Sequence, residues 1–226
     1  MADITKINGS PLSTYKASLL DYNSGAISLG DNYFKAENRL RMTVLPSQMP
    51  LRNITMKIEF MGSSDGEAEA NASELIRTLA EETELFLPDG FYYRCVLQKT
   101  GKPSRKAQGI FQREVSLIGY RHGTLESATI NGNGGTITVK GNYKTEARFT
   151  LVAAGASVTV SGITISNVSS GATIIIDGID CFVKQNGVNK FADCDLEEFP
   201  VLVPGIQSIL FSGATSVKVE YYPIFY

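Results

Sequence analysis

The sequence predicts a mainly β chain with one helix, arranged as two β-rich, sandwich-like domains. Three observations lead there. A single stretch, near residues 71–84, carries apolar side chains at helical spacing. The strand-like stretches instead alternate apolar and polar residues with period two. In the second half, short alternating runs are cut by Gly and Asn at roughly ten-residue intervals, the texture of a sandwich or jelly roll.

Taken in order, Ile4 to Ile7 starts a short strand that ends at Asn8-Gly9. Leu12 to Leu29 mixes apolar positions, punctuated by Gly25 and Gly30. Leu40, Met42 and Val44 alternate with Arg41 and Thr43 before Pro46 and Pro50 interrupt. Ile54, Met56, Ile58 and Phe60 form one face of a clean strand, with Thr55, Lys57 and Glu59 on the other. Residues 62–69 read as a polar loop into the helix, expected at 72–84. Asn71 is its expected cap, with Glu74 three residues on. Ala72, Leu75, Ile76 and Leu79 make the apolar face; Glu74, Arg77, Glu81 and Glu82 lie mostly opposite. Leu85-Phe86-Leu87 then enters a Pro88-Asp89-Gly90 turn. Phe91, Tyr93, Cys95 and Leu97 alternate beyond it. Residues 100–108 read as a loop carrying Lys102, Arg105 and Lys106. A return strand with Phe111, Val115 and Leu117 on one face closes at Gly119-Tyr120-Arg121-His122-Gly123.

The domain boundary falls within 123–131, giving domains 1–125 and 126–226. Beyond it lie strand runs at 136–140, 147–152, 157–162, 173–177, 181–184, 208–213 and 216–222. Residues 131–135 are a turn signal, and Asp177-Gly178 and Asn186-Gly187 are two-residue hairpin turns by composition. Six basic and nine acidic side chains follow residue 125; fifteen and fourteen precede it.

Composition narrows the functional classes. The chain has 226 residues, 43% hydrophobic, with no apolar run near the ~20 needed for a membrane helix. Its first residues, MADITKINGSPLS, lack the basic and apolar regions of a secretory signal. A net charge of −2 argues against tight general nucleic-acid binding, though a local basic patch survives that argument. Cys95, Cys181 and Cys194 have no CxxC spacing and read as buried free thiols; pairing of Cys181 with Cys194 is the less favoured alternative.

A search for catalytic chemistry gives little. His122 is the sole histidine, in a turn where a structural role outweighs a catalytic one. No HExxH, Walker A or GxGxxG pattern occurs. Asp193, Asp195, Glu197 and Glu198 form an acidic run whose spacing fits no EF-hand and reads as solvated surface. We therefore expect no enzyme activity, no cofactor and no metal. Lys102, Arg105 and Lys106 read either as a solvated loop or as a charged rim against another subunit or nucleic acid. A sandwich can also bind sugar by stacking it on an aromatic. The chain has no Trp, which leaves Tyr143 and Tyr222 as candidate glycan contacts.

Several stretches together resemble the distal tail (Dit) proteins of long-tailed, non-contractile phages and prophages. INGSPLSTYKASLLDY is similar to that family's opening. ITMKIEF, a polar loop, a helix, LFLPDGFYYRC and IGYRHG resemble its ring-forming domain. ITISNVSSGATIIIDG, NGVNKFADCDLEEFPVLVPGIQSILFSG and VKVEYYPIFY resemble its C-terminal sandwich. The likeness runs through nearly the whole chain in order, with LPDGFYY and EFPVLVPG the most specific segments. The chain departs from the pattern before EFP, where Glu197 stands in place of a frequent aromatic.

The resemblance implies a homo-hexameric ring at a phage tail tip, assembled in the bacterial cytoplasm. It would join the tail tube to the hub, let DNA pass through its centre without specific binding, and involve no membrane insertion. Galectin-like C-terminal domains would point outward and either carry receptor-binding proteins or touch the host surface. The alternative is an adhesion module in which the C-terminal sandwich recognises cell-wall glycan.

Overall fold

A computed structural model describes residues 5–25, 33–34, 43–44 and 51–226. Ile4, Gly30, Pro46, Pro50 and most of the 40–44 alternation lie outside these; Thr43–Val44 is a two-residue strand paired with Tyr33–Phe34. The chain divides into two compact units, one up to His122 with Tyr226, the other Gly123–Phe225.

The first unit is a sheet with a helix on one face. Its strands are β1 (Lys6–Ile7), β2 (Ala17–Asn23), β3 (Arg52–Met61), β4 (Thr83–Phe86), β5 (Tyr92–Thr100), β6 (Ser104–Ala107) and β7 (Ile110–His122). They pair antiparallel in the order β1-β4-β5-β7-β3-β2, with β6 beside β7 and Ser10–Pro11 beyond β1. Helix α1 spans Asp65–Leu79 and buries Ala68, Ala72, Leu75 and Leu79. Ala72, Leu75 and Leu79 pack in one core with Ile54, Met56, Ile58 and Phe60 of β3, Tyr93 and Cys95 of β5, and Val115 and Leu117 of β7. Burying a Leu- or Phe-sized side chain contributes about 1.5–3 kcal/mol, so this face holds the helix down.

The helix begins seven residues before its expected start and ends five before its expected end. Ser64 is the cap: its Oγ accepts from Glu67 N at 3.2 Å, while a Glu67 carboxylate oxygen accepts from Ser63 N at 2.7 Å. Asp65 and Glu67 also place negative charge on the helix N-terminus. Residues 65–69, loop-like in sequence because they are mostly polar, form the first turn and a half, with only Ala68 turned to the core. Asn71 lies within the helix, donating from Nδ2 to Met61 O at 2.8 Å. At the other end, Thr83 Oγ1 donates to Thr78 O at 3.1 Å, turning the chain into β4.

The Leu87–Gly90 turn forms as expected. Gly90 N donates to Leu87 O at 3.0 Å, and Gly90 takes φ 83°, which favours glycine. Asp89 locks the turn by accepting from Phe91 N at 3.1 Å and from the Tyr93 hydroxyl. That pair of bonds gives a physical reason for the DGFYY sequence.

The second unit is a two-sheet sandwich. Its strands are β8 (Glu126–Asn131), β9 (Gly134–Val139), β10 (Thr145–Ala153), β11 (Val158–Val160), β12 (Ile163–Ile165), β13 (Thr173–Asp177), β14 (Phe182–Gln185), β15 (Val188–Asn189), β16 (Cys194–Asp195), β17 (Gly205–Ser212) and β18 (Ala214–Tyr221). One sheet runs β8-β18-β10-β13-β14-β15 and the other β9-β17-β11-β12-β16. Inward residues such as Phe149, Leu151, Ile174, Ile176, Val217 and Val219 meet Val160, Ile165, Ile209 and Phe211 in one core.

Asn186-Gly187 is the expected two-residue turn, with φ of 48° and 83°. Asp177-Gly178 is not. Asp177 pairs with Phe182, so residues 178–181 make a longer loop. Asp177 Oδ1 accepts there from Ile179 N at 2.9 Å and Asp180 N at 3.1 Å, and Cys181 takes φ 53°. Asp caps a turn with its side chain as readily as it enters a two-residue one, and composition cannot separate the two.

Candidate functional site

The three basic residues singled out by sequence divide between the two faces of the first unit's sheet. Residues 100–108 are not a plain loop. Thr100 ends β5, and Ser104–Ala107 forms β6, pairing Ala107 with Ile110, Arg105 with Phe111 and Ser104 with Gln112. A polar strand at a sheet edge lacks the apolar alternation by which strands are recognised, so sequence reading missed it.

Strand geometry sends neighbouring side chains to opposite faces. Arg105 turns to the helix side, where its Nε lies 2.9 Å from Asp65 Oδ2, while Asp65 Oδ1 accepts from Gly109 N at 2.7 Å. Lys102 and Lys106 lie on the other face. With Lys57, Ser104, Gln112, Arg113 and Glu114 they line a concavity of about 330 Å³. Lys57 stands directly across the ladder from Glu114. Gln112 Nε2 donates to Glu59 Oε2 at 3.0 Å, and the Arg113 guanidinium is engaged with Glu69 at 2.6 Å. Lys57 is a residue that sequence does not single out, because alternation shows it only as the polar side of a strand.

Two edges of the same sheet carry no strand partner among the described residues. One is the outer side of β2. The other is β5 beyond Cys95, where pairing with β4 stops, continuing through β6. Such edges invite pairing with another chain.

The remaining candidates lie elsewhere. Tyr143 is buried at 8% exposure and its backbone bridges to Ile224, so its ring offers little to a sugar; Tyr222 is half-buried, and its carbonyl accepts from Thr145 Oγ1 at 2.7 Å. His122 is buried at 3% exposure, stacked on Tyr92 with ring centres 5.6 Å apart. Asp193 accepts from Lys190 Nζ and from Asn167 Nδ2, each at 2.7 Å, and these bonds hold its carboxyl below the usual range. Glu197 and Glu198 are exposed. Among the described residues, no group of three or more His, Cys, Asp or Glu side chains is arranged to hold a metal.

All three cysteines are free. Cys95 is buried, and burial pushes its thiol up to about 12; Cys194 is half-buried. Cys181 departs from the expected burial and is exposed. Also among the described residues, no helix is long and apolar enough to cross a membrane.

No protein-family profile matches the chain, and no curated protein matches it. Solved structures do. The chain is similar to the Dit protein of phage SPP1, described as a paradigm of the hub adsorption apparatus of phages infecting Gram-positive bacteria. The TM-score is 0.74 at 10% identity, over 98% of each chain. It is also similar to a chain of the phage P2 baseplate in its activated conformation with calcium, TM-score 0.62 at 12% identity, over 94% of this chain and 92% of the other. The strontium form of that baseplate gives 0.61 at 13% identity. At these identities the likeness is one of fold: the chain has a Dit-like fold, mainly β with one helix.

Proposed function

We propose that this chain is a structural, non-enzymatic component of a phage tail tip. Six copies would close a ring that joins the tail tube to the hub and its adhesion proteins, with DNA passing through the centre. The observation that carries this reading is the likeness to a Dit protein over 98% of both chains, which spans both units together. A shared sandwich alone would match one unit.

The first unit supports the ring physically. Among the described residues it has an unpaired strand edge at β2 and another along β5 and β6. A contact joining one edge to the other on the next copy is head-to-tail, and such contacts close into rings when the rotation closes. Lys102 and Lys106 lie along the second of these edges and remain the proposed intersubunit or channel contact. Arg105 is assigned instead to holding β6 against the helix. The proposed place of work is the virion, after assembly in the bacterial cytoplasm.

Light scattering on the purified chain, followed by negative-stain imaging, tests the ring. A hexamer, or two stacked hexamers, with an open centre is the expected result. A monomer that stays monomeric when mixed with its tube and hub partners would overturn it. A charge-reversed Lys102/Lys106 variant should fail to assemble or to support infection; full assembly and infectivity would remove those two residues from the contact.

A further inference from the structure

We propose that the open side of the sandwich, between the edge strands β8 and β9, takes up an extended segment of another tail protein as an added strand. The inference rests on the tail-tip reading for the identity of the partner. The site itself lies within one unit of one chain.

The hairpin joining β8 to β9 passes from one sheet to the other, so each strand ends its own sheet and has one side without a strand partner among the described residues. Stacked sheets lie about 10 Å apart and paired strands about 4.8 Å, so the gap between two such edges is about one strand wide. The two strands are closest near their turn, where a side chain at Gly135 would lie 2.8 Å from Ile130 Cγ2. Beyond it they enclose a cleft of about 200 Å³, with residues 127–130 on one side, 136–138 on the other, and Tyr221. The Lys140–Glu126 pair, at 2.9 Å, closes the far end.

The ladder registers decide which backbone groups point into this cleft. Phe211 N donates to Asn133 O at 3.1 Å, and Gly132 N to Thr215 O at 3.2 Å, which sets the phase of each ladder. Bonded and unbonded pairs alternate along an antiparallel ladder. Thr136 and Thr138 therefore turn their N–H and C=O away from β17, and Ser127 and Thr129 turn theirs away from β18. Tyr221 shows what such groups take up. Its hydroxyl accepts from Lys140 N at 3.0 Å and donates to Thr138 O at 3.3 Å, standing where a paired strand would place its backbone.

Natural sheets blunt their free edges with short strands, lysine, proline or bulges. The far edges of the sandwich, β15 and β16, follow that rule at two residues each. β8 and β9 do not. Each has six residues, contains no lysine or proline, and pairs without a bulge.

The chemistry of the occupant follows from the cleft. An extended backbone offers donors and acceptors in alternation to both edges. The space is smaller than the ~300–1,000 Å³ of small-molecule sites. Its one charged lining residue, Glu126, is engaged by Lys140, so the segment is uncharged. Ile130 and Ile137 are already buried, which leaves room for small side chains on the inner side.

The test uses the full chain, labelled with nitrogen-15, and a short acetylated, amidated peptide of alternating threonine and valine. Saturable binding should slow hydrogen exchange at the amides of Ser127, Thr129 and Thr136, and leave Ile174 and Ile176 unchanged. Thr136→Pro should weaken binding about tenfold, because it removes a donor pointing into the cleft and spares the β9–β17 ladder. The fully N-methylated peptide should not bind, since it keeps its side chains and loses its donors. That comparison decides the question even if Thr136→Pro fails to fold.

Equal binding of the N-methylated peptide would overturn the added strand, as would the absence of saturable protection at those three amides. Protection that rises with protein concentration alone would assign the cleft to a second copy of this chain and overturn the partner segment too. A chain that binds the peptide but never closes into a hexamer refutes the ring alone.

Discussion

The two units cover their sheets by different means. The first lays one helix over one face and leaves the other bearing Lys57, Glu59, Gln112 and Glu114. The second folds two sheets together, and the outer side of its smaller sheet presents Thr136, Thr138 and Ser208 around Ile206 and Leu210, exposed by 76% and 66%. Their charge pairs differ accordingly. In the first unit, Arg105–Asp65 and Arg113–Glu69 tie helix to sheet. In the second, Arg148 joins β10 to Asp177 on the adjacent strand β13. Among the described residues, the helix-covered sheet has one face and two edges with no covering element, whereas the sandwich packs its inner faces on each other.

The sharpest way to break this comparison is to open a cavity in each core. Phe149→Ala in the sandwich should cost about 3–5 kcal/mol, and Leu75→Ala on the helix about 2–5 kcal/mol. Both side chains are essentially fully buried. Thermal unfolding should show each variant lowering a different transition. A single transition that moves equally for both would mean the two cores are one cooperative unit.

The turn aspartates sharpen the comparison further. Asp177 is fully buried, accepts from Ile179 N and Asp180 N, and pairs with Arg148. Asp177→Ala removes both turn bonds and one of the two carboxylate partners of Arg148, the other being Asp180, and should cost about 2–3 kcal/mol. Asp89 is exposed and bonds Phe91 N and the Tyr93 hydroxyl. Asp89→Ala should cost about 1–2 kcal/mol. Denaturant midpoints for the two variants would check the ranking.

Alkali should separate the units by chemistry. Burial pushes both Tyr93, ordinarily 10.0, and Cys95, ordinarily 9.0, up to about 12 in the folded first unit. A group whose folded value is raised binds its proton more tightly folded than unfolded. Its contribution is therefore intact below about pH 9–10 and is lost as pH rises toward 12, at about 1.4 kcal/mol per unit of separation. The first unit should lose stability across that window, and Cys95→Ser should remove part of the dependence. Equal alkaline loss in an isolated variant lacking both groups would refute the assignment. In native protein, Cys181 should react with a thiol reagent far faster than Cys95.

Much of the fold could be read from the sequence where burial imposed a period. The β3 and β5 faces, the Leu87–Gly90 turn and the Asn186-Gly187 hairpin all lie where one side of the chain meets a core or where glycine must take positive φ. The errors occur where that constraint is missing. Asp65 to Glu69 is helical but polar, because only Ala68 of the five is buried, and the helix is capped by Ser64 and not by Asn71. Strand β6 is exposed throughout, so nothing in its composition marks it as a strand. For the same reason sequence reading grouped Lys102, Arg105 and Lys106. Separation onto two faces is a property of the β6–β7 register, and so is the arrival of Lys57 beside two of them.

The smallest expected effect tests that separation most directly. Arg105 and Asp65 are 57% and 44% exposed in their side chains, so water screens the pair and its loss should cost no more than about 0.5 kcal/mol. Arg113 is only 12% exposed in its pair with Glu69, so its replacement leaves a half-buried carboxylate without its partner. Arg113→Gln should therefore cost more, about 1–2 kcal/mol. Both substitutions remove one positive charge from neighbouring strands, and long-range charge alone would make them equivalent. Denaturant midpoints that differ in this direction would show that burial of each pair sets its contribution. Equal midpoints would mean that the helix is held by its apolar face alone, with both ion pairs incidental to it.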